Sequence, residues 1–157
     1  MDVLVPFCGS ARTSIHNQVF LEGVKAAIIA PIQAWSRGAC KGETYYALDS
    51  GWTDEQKSVA LHAMARVYAG WGFSQAFYRQ KLYETALGYR DLDDFMDVFW
   101  GGWALSKDPE NLLTMLYTWQ AGDCADQEPY NGDFEVAMKA IKARTLVLPS
   151  QTDLYFP

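Results

Sequence analysis

The strongest constraint on this chain is the placement of its two strand-like runs. Val3, Leu4 and Val5 form a short β-branched and aliphatic run closed by Pro6, and Thr145, Leu146, Val147 and Leu148 form a second one far along the chain. Everything between them reads as helix or loop. Two strands neither shield their own edges nor make a stable sheet alone. A layout of strand, helices, strand therefore expects sheet neighbours that the chain does not itself supply, and truncation is the reading that follows.

Length and composition narrow the classes. At 157 residues, one domain with one hydrophobic core is the default expectation. Half of the residues are apolar and 15% are aromatic, which suits a packed core and argues against disorder. The formal charge is −6 and Lys and Arg are scattered, so neither nucleic acid nor an anionic membrane is expected as a partner. No window approaches about 18 consecutive apolar residues, and the stretch from Met1 to Phe7 lacks the basic region of a signal peptide. Cys8, Cys40 and Cys124 make no C-x-x-C pair, and His16 and His62 lie far apart, so no metal site and no cofactor is expected. Free thiols suit a soluble, cytoplasmic protein. Cys8 reads as a small buried hydrophobe, since a reactive thiol needs an electropositive setting.

Helix signals fill the middle. Asn17 is a candidate cap for a helix from Gln18 to Trp35, which Pro31 is expected to bend or end. Ser36 to Gly51, rich in Gly, Ser and Tyr, reads as an irregular excursion. Thr53 and Gln56 match a capping box, followed by apolar positions at Ala60, Leu61, Met64 and Val67. Gly70 and Gly72 predict a kinked joint before a second helical stretch from Phe73 to Leu87. Asp91 is placed to cap a short helix through Leu92, Phe95, Met96 and Phe99, and Asp108 followed by Pro109 starts another. Asn131 and Gly132 signal a turn before an apolar stripe at Phe134, Ala137, Met138 and Ile141.

Few residues invite chemistry. Asp153 follows the second apolar run by five residues, where a Ser-His-acid hydrolase on an α/β sheet carries its acid. On pattern alone, Asp153 is equally well a turn residue before Pro157. The nearest nucleophile motif, Gly72-Phe73-Ser74-Gln75-Ala76, lacks a preceding strand, and Ser74 leads into Phe77 and Tyr78 at helical spacing. No histidine follows Asp153 in these 157 residues; His16 and His62 precede it, against the chain order of the fold. Arg12 lies just past the first strand, where α/β sheets place ligand crevices, and is a candidate anchor for a carboxylate or acyl-carrier group or else a loop-structuring residue. Trp71, Phe73, Phe77, Tyr78, Tyr83, Phe99, Trp100 and Trp103 read as core, with some rings candidates for an apolar acyl pocket.

Several segments together resemble a known family. Phe7-Cys8-Gly9-Ser10-Ala11-Arg12-Thr13-Ser14, then His16-Asn17 and Phe20-Leu21-Glu22-Gly23, resemble the stretch after the nucleophile elbow of homoserine-acetyltransferase-like α/β hydrolases. So do residues Ala65 to Gln75, Trp119-Gln120-Ala121-Gly122-Asp123 and Tyr130-Asn131-Gly132-Asp133-Phe134. Pro149 to Pro157 is similar to that group's acid-bearing turn. The match covers nearly the whole chain and points to the esterase-like branch. The Ala39-Cys40 pair departs from the Gly-x-Tyr expected after Ala34-Trp35.

The resemblance implies an α/β fold, part of an α/β-hydrolase domain with two core strands flanking a mainly helical lid. It implies a core strand and loop over 1–13, a helical lid region over 14–132, and a core helix, strand and acid-bearing turn over 133–157. Asp153 is then the triad acid, with nucleophile elbow and histidine outside these residues and no turnover by this chain alone. A small acyl or ester substrate is implied once both are supplied, in amino-acid or secondary metabolism; the acyl acceptor and oligomeric state stay open. The alternatives are a non-enzymatic helical interaction module and, last, a small complete enzyme using Cys8 or Ser10 with His16.

Overall fold

The computed structural model describes residues 2–35, 52–150, 153 and 155. The expected excursion at 36–51, with Cys40 and the Ala39-Cys40 departure, lies outside them. The described residues are mainly helical, with one small two-stranded sheet. They fall into two compact units, one of Met1–Gln18 with Thr118–Pro157, the other of Val19–Tyr117. No helix among them is long and apolar enough to cross a membrane.

The first unit holds the sheet. Strand β1 (Val3–Leu4) pairs in parallel with β2 (Arg144–Thr145), Val3 opposite Arg144 and Leu4 opposite Thr145. The ladder runs further than these short assignments. Arg144, Leu146 and Leu148 donate to the carbonyls of Asp2, Leu4 and Pro6, and Cys8 donates to Leu148 at 3.2 Å. Pro6 has no N–H to return to β2, so one rung is missing and the regular strand stops there. Alternate residues of a parallel strand face the same neighbour. The backbone groups of Val3, Val5 and Phe7 therefore face the far edge, where no third strand lies among the described residues. Helix α1 (Ile15–Trp35) leaves this unit for the next.

Asn17 is not the cap of α1. Ser14 takes that place, its Oγ accepting from the Asn17 N–H at 3.1 Å and its carbonyl from Gln18. Pro31 lies inside α1 and does not end it. A proline removes one backbone donor, and the remaining hydrogen bonds of a long helix carry it past the gap.

The second unit is helical throughout. Helix α2 (Asp54–Gly72) starts at Thr53, whose capping box with Gln56 is complete. Its buried face is Ala60, Leu61, Met64, Ala65 and Ala69. The expected break at Gly70 does not occur; α2 continues to Gly72 and stops where Phe73 turns extended. Ser74 then caps α3 (Gln75–Arg79), and α4 (Leu82–Thr85) follows. Asp91 caps α5 (Leu92–Asp94), as its position predicts, but the chain continues as a π-helical segment, Phe95–Gly101, before α6 (Gly102–Leu105). Helix α7 (Pro109–Gln120) begins at Asp108, whose Oδ1 accepts from Asn111.

Gly72 has a steric reason. A Cβ there would lie 2.2 Å from the Trp100 ring. Trp100 is buried, as is Phe95, and the Phe95 ring meets those of Phe73, Phe77, Tyr78, Tyr83, Tyr89 and Phe99 at centroid distances from 5.0 to 6.4 Å. Burial within this cluster pushes the Tyr78 phenol up from its ordinary range, and its hydroxyl donates to the Ala69 carbonyl.

Candidate active site

Ligand crevices of parallel sheets form past the carboxyl ends of the strands. Here both strands deliver their chain to one such end. From β1 comes the loop of residues 8–14, entered through Cys8 at φ 47°, a left-handed conformation uncommon for a residue with a side chain. From β2 come Pro149, Ser150 and the turn holding Asp153 and Tyr155.

The β1 loop is pinned by backbone and side-chain bonds. Thr13 N–H donates to the Gly122 carbonyl at 2.7 Å and Cys124 N–H to the Ala11 carbonyl at 3.0 Å. The hydroxyls of Ser10 and Thr13 donate to the carbonyls of Arg12 and Trp119. A side chain at Gly122 would crowd this approach, since a Cβ would lie 3.2 Å from Thr13 Oγ1 and equally close to the Trp119 carbonyl. Ser10, Thr13, Trp119 and Gly122 line a cavity of about 340 Å³. Both hydroxyls there already have acceptors, so neither is poised as a nucleophile.

Arg12 is held in three ways. Its Nε pairs with Asp123 at 2.7 Å, its Nη2 donates to the Gly132 carbonyl at 3.2 Å, and its guanidinium lies 4.6 Å from the Phe134 ring centroid. Asn131 and Gly132, with φ of 47° and 88°, turn the chain there, and Asp133 caps α8 (Phe134–Lys139). The Ala125 N–H, and then Arg12, hold the Asp123 carboxyl below its ordinary range. Pairing with Asp123 is the contact that residue spacing could not reveal, because 111 residues separate the two.

Asp153 sits in a tight turn. Its N–H donates to the Ser150 carbonyl at 3.2 Å, and its Oδ1 accepts from the Tyr155 N–H at 2.7 Å. Tyr155 is held from elsewhere: Asn17 Nδ2 donates to its carbonyl at 2.8 Å, and its ring stacks on Trp119 with centroids 6.1 Å apart. Sequence reasoning treated Asn17 as a helix cap and missed this contact. Burial of an asparagine one turn into a helix would have been the signal, and burial is not written in the sequence.

The other candidates are placed less productively. Ser74 Oγ accepts from the Phe77 N–H at 3.1 Å, the geometry of a helix cap. His62 lies on α2, its Nδ1 2.8 Å from the Ser58 carbonyl of the same helix. His16 is exposed on α1. No group of three or more metal-ligating side chains gathers among the described residues.

No family model matches the chain. It is 32% identical over 148 residues to an ethyl acetate hydrolase of Pseudomonas veronii, a match spanning 94% of this chain and 38% of that protein. It is 27% identical over 152 residues to a Corynebacterium glutamicum protein described as a probable esterase, spanning 97% and 39%. Among solved structures, an acetylester hydrolase from Corynebacterium glutamicum superposes with a TM-score of 0.80 at 24% identity, over 99% of this chain and 40% of that one. The acetyl esterase MekB superposes with a TM-score of 0.76 at 29% identity, over 98% and 40%. The chain thus spans about 40% of the length of these relatives. Its homologues are esterases and acetylester hydrolases, and its fold is that of a corresponding part of theirs.

Proposed function

We propose that this chain is the acid-bearing part of an esterase-type α/β hydrolase of the homoserine-acetyltransferase-like group, with Asp153 as the acid of a Ser-His-Asp triad. One observation carries the reading: Asp153 leaves the carboxyl end of β2, beside that of β1, with one carboxylate oxygen already fixed by the Tyr155 N–H. An acid in such a site accepts the imidazole N–H, holds the ring in the reactive tautomer and stabilises its charged form. Serine precedes and histidine follows the acid in this fold. In our reading, chain beyond these 157 residues supplies both, and it also supplies the strands that cover the open edges of β1 and β2.

The reaction is acyl transfer without a cofactor. The serine oxygen attacks the ester carbonyl while histidine takes its proton; that proton then goes to the departing alcohol, and water releases the acid. A small acetate ester is the proposed substrate, by analogy with the ethyl acetate hydrolase; an alcohol or thiol in place of water would make the same site a transferase. Arg12 is a secondary proposal, as an anchor for the acyl side of the substrate. Its half-exposed side chain supports this, and its commitment to Asp123 limits it. A cytoplasmic location accompanies the proposal.

A chimera tests the reading. The segment of the Pseudomonas veronii hydrolase matched by this chain is replaced by residues 1–157, and ethyl acetate hydrolysis is followed by acid release. The chimera is expected to turn over, while the isolated chain neither turns over nor is labelled at Ser74 by a serine-directed phosphonate. Labelling of Ser74 together with turnover by the isolated chain would overturn it. The compact helical unit, Val19–Tyr117, favours one other reading, a non-enzymatic interaction module. A cooperatively unfolding monomer with a chimera dead towards esters would support that instead.

A further inference from the structure

Asn17 is 1% exposed, and its buried amide faces the acid-bearing turn. Its Nδ2 donates to the Tyr155 carbonyl at 2.8 Å, and the Tyr155 N–H donates to Asp153 Oδ1 at 2.7 Å. Tyr155 is therefore gripped at both of its backbone groups, one by α1 and one by the carboxylate, while Trp119 stacks against its ring. The grip begins on a rigid element: Ser14 caps α1 at the Asn17 N–H, and α1 follows the loop pinned by Gly122 and Cys124. A leucine would fill a similar volume but would leave the Tyr155 carbonyl without this donor. Buried polar groups are costly unless hydrogen-bonded, and the Oδ1 of Asn17 has no partner among the described residues. A buried amide with one end unmet is poor as a packing residue, so its function lies in what its other end holds.

We propose that Asn17 is a positioning residue for Asp153, acting through Tyr155: it fixes the turn so that the Asp153 carboxylate is held in one orientation. The inference rests on the triad reading, since Asp153 needs aim only if an imidazole is to meet it. A site held this way loses rate when its supporting contact is removed, because a misplacement of about 1 Å can cost about a hundredfold.

Two measurements test it, on two samples. In the full 157-residue chain, amide hydrogen exchange at Tyr155 is compared between wild type, Asn17→Leu and Asn17→Asp. Exchange at Tyr155 is expected to quicken about tenfold or more in both variants, with the amides of Met64 and Leu113 unchanged. If the isosteric Asn17→Asp fails to fold, Asn17→Leu carries this arm. In the chimera, Asn17→Leu is expected to lower kcat about ten- to a hundredfold at unchanged KM, and to add nothing on top of Asp153→Asn. Unchanged Tyr155 exchange in the folded variant would overturn the proposal, as would a kcat loss fully additive with Asp153→Asn. An inactive wild-type chimera would count against the triad reading alone, and the exchange arm would still decide whether Asn17 holds the turn.

Discussion

In the helical unit a cluster of aromatic rings covers itself: Phe95 is fully buried, and six rings surround it. In the strand unit the corresponding residues lie open, with Val3 59%, Phe7 75% and Val147 62% exposed. The two units draw on the same kinds of residue and differ in geometry. Aromatic side chains on short helices can turn inward and close a core by themselves. A parallel sheet needs cover on both faces and neighbours on both edges, which two strands cannot give each other. The strand pair thus leaves apolar surface open where the ring cluster around Phe95 closes on itself.

The contrast can be broken most forcefully at Phe95. Phe95→Ala removes the ring on which the aromatic cluster converges, and buried Phe-to-Ala changes cost about 3–5 kcal/mol. Denaturant unfolding followed by aromatic fluorescence should show that loss. Next comes Gly72→Ala, whose methyl would press on the Trp100 ring; overpacking of this kind costs about 1–3 kcal/mol. A neutral result there would mean that the cluster yields more readily than its packing indicates.

A pH series sharpens the strand side. The Asp123 carboxyl, held low by the Ala125 N–H and then by Arg12, has a folded pKa below its ordinary value of 3.8. Its contribution to stability is therefore complete above that ordinary value and is lost as pH falls through the lower folded one. Asp123→Asn should flatten stability over that acid range while changing little near neutrality beyond the loss of one partly exposed ion pair. The smallest expected effect on stability is at the open edge. Val5→Lys should change unfolding free energy by no more than about 0.5 kcal/mol, yet it should reduce self-association in sedimentation velocity, because a lysine blunts an unpaired strand.

What could be read from residues alone was mostly local. Thr53 with Gln56, Asp91, and Asp108 before Pro109 each act within one turn, and each caps a helix as expected. The two strands were legible from their β-branched runs. The π-helical segment was not, because Phe95, Phe99 and the residues around them satisfy α-helical spacing as well. Of the candidate site, the sequence offers Asp153 and Arg12, each placed past the end of a strand. Their partners depend on contacts across the fold, such as Asn17 with Tyr155, 138 residues away, and Arg12 with Asp123. Continuation of α1 through Pro31 shows the reverse case, in which a strong local signal yields to the rest of the helix.

The most direct test of the central claim is Asp153→Asn in the chimera. The substitution keeps the size of the side chain and its acceptor for the Tyr155 N–H, and removes the charge that would stabilise an imidazolium in the proposed triad. With ethyl acetate as substrate, kcat is expected to fall about 10⁴-fold at little change in KM, as loss of the triad acid does in serine hydrolases. Turnover undiminished by Asp153→Asn in an active chimera would contradict the account and return Asp153 to the role of a turn residue.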